Sequence, residues 1–339
     1  MTATKRHISF LILLATGLLA ACTEPEPPQP ETQPEICLNT NVTGLQKRVN
    51  SIDNNTELQG YDLKIDAYFH DTETKYLDNR KLHYTGGDPD WVFWDGSAQL
   101  HYYWPIVGSV YDPASANITY TSLDFIGYCP YDKPSYIGAP TYDHSTGISF
   151  TCDLSSYMTL ARQIGAEAPT IPVMQEYLVA ILDEQTLATQ TAAGGALPLQ
   201  FQHPFALIKF TITAASGTNV QINSISIADL YTSGTCTYNG STTSWGSYDD
   251  ESKATMTLTQ VLKNGGTTEG TPFMVIPNNY GSKYLTVNAT WTDWSNTVTI
   301  SDYGTDVSFN WEPGRLYTYN LTLDKYGLKV DAGKYTEQW

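Results

Sequence analysis

Basic residues are scarce in this chain. Lys and Arg total 18 against 35 Asp and Glu in 339 residues, which gives a formal net charge of -17 at pH 7 and a sequence pI near 4.5. A balance so acidic repels phosphate backbones, and the longest basic cluster is only Lys47-Arg48, so nucleic acid is excluded as a partner. Charged residues of either sign make up 16%, a composition that suits polar turns and short strands better than long salt-bridged helices. Cysteines number 5 and no Cys-x-x-Cys occurs, which leaves a thioredoxin-type redox site or a zinc module of that spacing without support. Motifs of catalysis are missing as well: there is no His-Glu-x-x-His, no Gly-x-Ser-x-Gly elbow and no phosphate-binding glycine loop. The 6 histidines are His7, His70, His83, His101, His144 and His203, and none stands at metal-ligand spacing beside a carboxylate cluster; His203, next to Pro204, reads as a packing or turn residue. Asp53-Asn54-Asn55 and residues 302–306 offer oxygen ligands without the EF-hand spacing and read as turns. The expectation is a protein that is not an enzyme and uses no cofactor and no metal.

Long hydrophobic runs are also lacking, with one exception at the N-terminus. Lys5 and Arg6 precede an apolar stretch over residues 8–21 that is too short and too abruptly ended for a transmembrane helix and reads as an export signal. Its end, Leu19-Ala20-Ala21-Cys22, resembles the bacterial lipobox, in which the Cys thiol receives a diacylglyceryl group; the other reading makes Cys22 an ordinary residue after a conventional cleavage site. The Pro- and Glu-rich residues 23–35 that follow cannot form a core and serve as an extended tether. Without the signal, 16 basic residues face 35 acidic ones. Four cysteines remain, Cys37, Cys129, Cys152 and Cys236, which allow three pairings. The best pair is Cys129–Cys152, at the ends of expected strands; the alternative is that all four are small buried hydrophobes.

Aromatic residues are plentiful, with 24 Tyr, 10 Phe and 8 Trp, and they mark a folded chain. Past residue 35 the pattern becomes short alternating segments: residues 36–42, 61–69, 98–104 and 117–128 read as strands, followed by a long Tyr/Pro/Gly loop to about residue 147. Residues 171–185 are ambiguous. Met174, Leu178, Ile181 and Leu182 recur at helical spacing, whereas residues 177–182 form an apolar run of strand length. From residue 197 onward strands are expected at 201–212, 220–230, 254–262, 272–276, 284–294, 297–300, 307–309 and 316–323, with a bulge where alternation breaks between Ile222 and Ile225. The fold class is therefore all-β, with sheets burying their aromatic and β-branched faces against each other. Two aromatic groups, Trp91 and Trp94 with Tyr102 and Tyr103, and Trp291 with Trp294, read either as core or as exposed rings that stack on sugars.

The whole chain resembles the fimbrillin-like family of Bacteroidia, the Mfa/FimA-type subunits derived from lipoproteins. The resemblance rests on Leu19-Ala-Ala-Cys22, on the segment LQFQHPFALIKFTI over residues 199–212, on WEPGRLYTYNLTL over residues 311–323, and on Gly327-Leu-Lys-Val330 with the terminal Trp339. It implies two transthyretin-like β-sandwich domains in tandem, divided as signal peptide 1–21, disordered tether 22–35, N-terminal domain 36–196, C-terminal domain 197–325, and a tail or donor strand 326–339. It also tips residues 177–182 toward a strand. Further implications are lipidation at Cys22, cleavage at Arg48 that removes the strand at 36–42, and donation of Tyr326, Leu328 and Val330 to a neighbouring subunit. The expected protein is a structural or accessory fimbrial subunit that assembles by strand exchange and supports adhesion. Its expected partners are other fimbrial subunits or copies of itself, outer-membrane lipid through the acylated Cys, and a surface glycan or protein of host or bacterium. It is placed at the outer membrane by the lipid and on the fimbrium after maturation. The alternative is a glycan-binding surface lipoprotein that does not polymerise, with the six rings as contacts.

Overall fold

Every position along residues 123–129, and every one but Lys64 along 63–69, is buried, as in strands covered on both faces. In the computed structural model these strands lie at the middle of a six-stranded sheet. The structure describes residues 33–42, 54–108, 110–111, 118–158, 162–163, 174–214, 219–227, 229–248, 255–256, 258–262, 267–269, 272–293, 296–324 and 327–338. The strand order of this sheet is Leu178–Gln185, Leu123–Cys129, Leu63–Phe69, Lys75–Tyr84, Trp91–Trp94, Gln99–Leu100, with every pair antiparallel.

Period-2 alternation divides its side chains between two apolar clusters. Leu63, Ile65, Ala67, Phe69, Leu123, Phe125, Leu178 and Ala180 enter one cluster, together with Ile36, Leu38, Leu197, Leu199 and Phe201. Tyr68, Ile126, Tyr128 and Val179 enter the other. A four-stranded sheet, ordered Thr243–Gly246, Ser233–Tyr238, Gly147–Asp153, Thr141–Asp143, contributes Tyr142, Ile148, Phe150, Cys236 and Tyr238 to that second cluster. Gly127 shows how close the layers come: a Cβ there would lie 2.8 Å from Leu199 Cδ2, so only glycine admits this approach.

Two further sheets draw mainly on the C-terminal half. One runs Thr267–Glu269, Ala206–Ala214, Arg315–Asp324, Gly327–Gln338, with Ala206–Ala214 and Arg315–Asp324 parallel and Phe273–Val275 also paired to Ala206–Ala214. The other runs Arg162–Gln163, Leu258–Leu262, Asn219–Ile227, Asn278–Asp293, Asn296–Trp311. Phe210, Leu285, Phe309 and Trp311 belong to the larger cluster, where Trp311 Nε1 donates to Tyr319 Oη at 2.8 Å and so satisfies its polar edge inside the core. All these strands belong to the unit Pro34–Trp339.

The all-β expectation holds, and several details change. The ambiguous segment contains the strand Leu178–Gln185; because its two faces enter different clusters, its apolar residues run together and coincide with helical spacing by chance. The single strand expected over 201–212 is two, Leu197–Phe201 and Ala206–Ala214, separated at Pro204, which has no N–H to give a ladder. The bulge between Ile222 and Ile225 is present as a register shift between Ile222 and Ser224. Residues 302–306, expected as a turn, lie inside the strand Asn296–Trp311, where the Tyr284 ring covers Gly304 and supplies the packing that glycine lacks. Cys129 and Cys152, expected as a disulfide, are free thiols that enter different apolar clusters.

Candidate functional site

Ile36, Leu38, Thr40 and Val42 stand at alternate positions and give the start of the described chain one core-facing side. The strand Leu38–Val42 buries Leu38, Thr40 and Val42 and exposes Asn39. It pairs in parallel with Leu197–Phe201, in a register from Leu38↔Leu197 to Val42↔Phe201. Burial of Ile36, Leu38 and Val42 stabilises this seating by about 1.5–3 kcal/mol for each side chain.

Main-chain and side-chain hydrogen bonds hold both ends. Ahead of the strand, the Ile36 N–H donates to the Tyr102 carbonyl at 2.7 Å and the Trp104 N–H to the Pro34 carbonyl at 2.9 Å. Gln190, buried on the helix Leu187–Ala192, is fixed by the capping box of Thr186 and Thr189. Its Oε1 accepts from the Cys37 N–H at 3.0 Å and from Trp104 Nε1 at 3.1 Å, while its Nε2 donates to the Glu35 carbonyl at 2.9 Å. At the other end the Val42 N–H donates to Asn55 Oδ1 at 2.9 Å. Asn55 opens the short helix Asn55–Leu58, whose N-cap is Asn54; the expected turn there is a cap. Burial, and then the Glu35 carboxylate, push the Cys37 thiol up, so it stays protonated and chemically quiet.

The residues singled out from the sequence do not converge. Cys22, Arg48, Trp294 and Tyr326 lie outside the described residues. Leu328 and Val330 sit on the strand Gly327–Gln338, opposite Leu323 and Leu321, and Val330 packs on the larger cluster. This strand ends its sheet, with Arg315–Asp324 as its neighbour. Trp91 is core, at 4% exposure. Trp94 and Tyr102 are half-buried, with Tyr102 edge-on to Phe93 at a centroid distance of 4.9 Å, and Tyr103 is exposed. Trp291 lies on Asn278–Asp293 opposite Val298. Of Trp91, Trp94, Tyr102 and Tyr103, Tyr103 alone is exposed, at 42%.

Folding also assembles groups that no sequence spacing announces. His70, Asp124 and Asp183 bring their ligand-type atoms within 4.8 Å of one another, as do Glu73, Asp143 and His144. In the first group the buried Asp124 accepts from Tyr142 Oη at 3.1 Å and from the Glu184 N–H at 2.8 Å, with His70 Nδ1 at 2.7 Å. These donors already satisfy the carboxylate as a structural hub.

A family model described as fimbrillin-like matches residues 48–339. The chain belongs to the fimbrillin-like family. No curated protein matches it. Among solved structures, a candidate cell adhesion protein of Bacteroides ovatus is similar at 14% identity and a TM-score of 0.48, with 92% of this chain and 99% of that one covered. Another from Bacteroides uniformis gives 18% identity and a TM-score of 0.45 over 90% and 98%. The tip fimbrial protein Mfa3 of Porphyromonas gingivalis, truncated at its C-terminus, gives 9% identity and a TM-score of 0.38 over 91% and 100%. As a fimbrillin-like chain this is a structural protein and not an enzyme. It is a fimbrial-type protein of the cell surface, and its family implies interaction with other fimbrial subunits. The strand Leu38–Val42 precedes the stretch that the family model matches.

Proposed function

We propose that this chain is a fimbrial subunit that reaches the surface as a lipoprotein acylated at Cys22 and joins its neighbours by strand exchange. The observation that carries the reading is the first strand. It is five residues long, it precedes the family match that begins at residue 48, and its buried face joins the apolar cluster that holds Leu197, Leu199 and Phe201 of the strand beside it. Cleavage at Arg48 would free it. An emptied groove leaves backbone groups and an apolar floor without partners, which a strand from a neighbouring subunit satisfies. The proposed donor is the C-terminal segment with Tyr326, Leu328 and Val330. Its strand Gly327–Gln338 lies at a sheet edge and pairs with Arg315–Asp324 through two register irregularities. Strands at edges are those most readily offered to another chain.

The test is proteolytic. Treatment of the purified chain with an Arg-specific protease, followed by light scattering, is expected to give linear oligomers for the wild type. Arg48→Ala and a truncation before Tyr326 are expected to remain monomeric. Cleavage after Arg48 that leaves a stable wild-type monomer would reject strand exchange and point to a surface adhesin that does not polymerise.

A further inference from the structure

The first strand fits its seat poorly at one point. Side-chain oxygens buried without a hydrogen-bond partner among the described residues occur at Thr40 Oγ1 and Asn41 Oδ1, neighbours on this same strand. Thr40 is 6% exposed. It stands on the buried face between Leu38 and Val42 and pairs with Leu199. Its N–H takes a local acceptor, Asn39 Oδ1 at 2.8 Å, yet its hydroxyl has given up water and gained nothing. A loss of this kind weakens the seated state by roughly tenfold relative to an apolar residue of the same shape.

The ends of the seat have a different character. Gln190 contacts the Glu35 carbonyl and the Cys37 N–H, and Asn55 contacts the Val42 N–H. All three are main-chain groups, which any extended segment presents whatever its sequence. Discrimination between occupants therefore falls to the buried face at positions 38, 40 and 42, and at position 40 the resident residue is the wrong chemical kind.

We infer that Thr40 makes the resident strand a weak occupant of this seat, so that an extended strand with apolar side chains at all three buried positions displaces it. The inference rests on the strand-exchange reading above and adds to it the residue that sets the order of affinities. Residues 326–332 of this chain have the required pattern, with Leu328 at the middle position. Thr40→Val keeps the shape of the side chain and replaces only the hydroxyl, so it isolates the mismatch.

Two measurements test this. In the full chain, hydrogen-exchange protection of amides 38–42 is expected to rise about tenfold in Thr40→Val and to stay level or fall in Thr40→Ser. In the chain cut by an Arg-specific protease, labelled peptides are compared: residues 36–42, the same peptide with Thr40→Val, and residues 326–332. The second and third are expected to bind about tenfold more tightly than the first. Unchanged or lower protection in Thr40→Val overturns the inference. Equal binding by all three peptides overturns it while leaving strand exchange standing. Entry by none of them overturns strand exchange and the inference together.

Discussion

His70 stands among carboxylates that the chain gathers from separate strands and turns. Its Nδ1 lies 2.7 Å from Asp124 Oδ1 and 3.3 Å from Asp183 Oδ1, and its Nε2 lies 3.5 Å from Asp71 Oδ1. Burial alone would lower its pKa, but the hydrogen bond to Asp124 and the nearby acidic charges outweigh it and raise the value above the ordinary 6.5. A raised pKa in the folded state means that the associated stability is fully present below pH 6.5 and is lost as pH rises through the folded value. Urea midpoints measured across pH 5.5 to 8.5, taken as roughly the window of an imidazole, are expected to fall with rising pH in the wild type. In His70→Gln that part of the slope should flatten; an unchanged slope would show that His70 is not its source. Nothing in the linear sequence foretold this group, because each member is ordinary in its own segment and only the pairing of Leu123–Cys129 with Leu63–Phe69 on one side and Leu178–Gln185 on the other brings them together.

Elements show a similar division. The bulge after Ile222 was legible because a break in period-2 alternation has a local cause. Alternation alone left residues 177–182 open, since a strand covered on both faces loses the pattern that would identify it, and the family resemblance tipped them to the strand that is present. Gln190 gave no sequence signal at all: it is one amide on a short helix, yet its side chain makes three hydrogen bonds around the entry of the first strand. Gln190→Leu removes an acceptor and a donor while keeping bulk, and leaves the Cys37 N–H, the Glu35 carbonyl and Trp104 Nε1 to find other partners. The expected loss is about 1–3 kcal/mol, felt first at the strand. Hydrogen exchange should therefore speed up at residues 35–38 while the amides of Leu123–Cys129 keep their protection. Uniform acceleration over both segments would mean that Gln190 supports the whole core and not the strand in particular.

At the scale of the whole molecule, attachment and assembly are separate matters. A singly acylated chain binds a bilayer only marginally, whereas a multiply acylated Cys holds it stably. Replacement of Cys22 by Ser is expected to move the precursor from the membrane fraction to the soluble fraction of cells, with folding of the mature chain unaffected; continued membrane retention would refute the lipid anchor. The sequence by itself determined the acidic character, the apolar run ahead of Cys22 and the all-β class, because composition and period-2 alternation are local properties that no distant contact can change. It also carried the loose apolar patterns by which the fimbrillin-like family is recognised. Tertiary structure alone decided that Leu197–Phe201 lies beside Leu38–Val42, that Trp91 is buried while Tyr103 is exposed, and that Cys129 and Cys152 stay apart as free thiols. Each of these depends on which strand becomes the neighbour of which. Alternation fixes the faces of a strand but is silent about its partner, so the seat of the first strand, and the poor fit of Thr40 within it, exist only once distant segments have met.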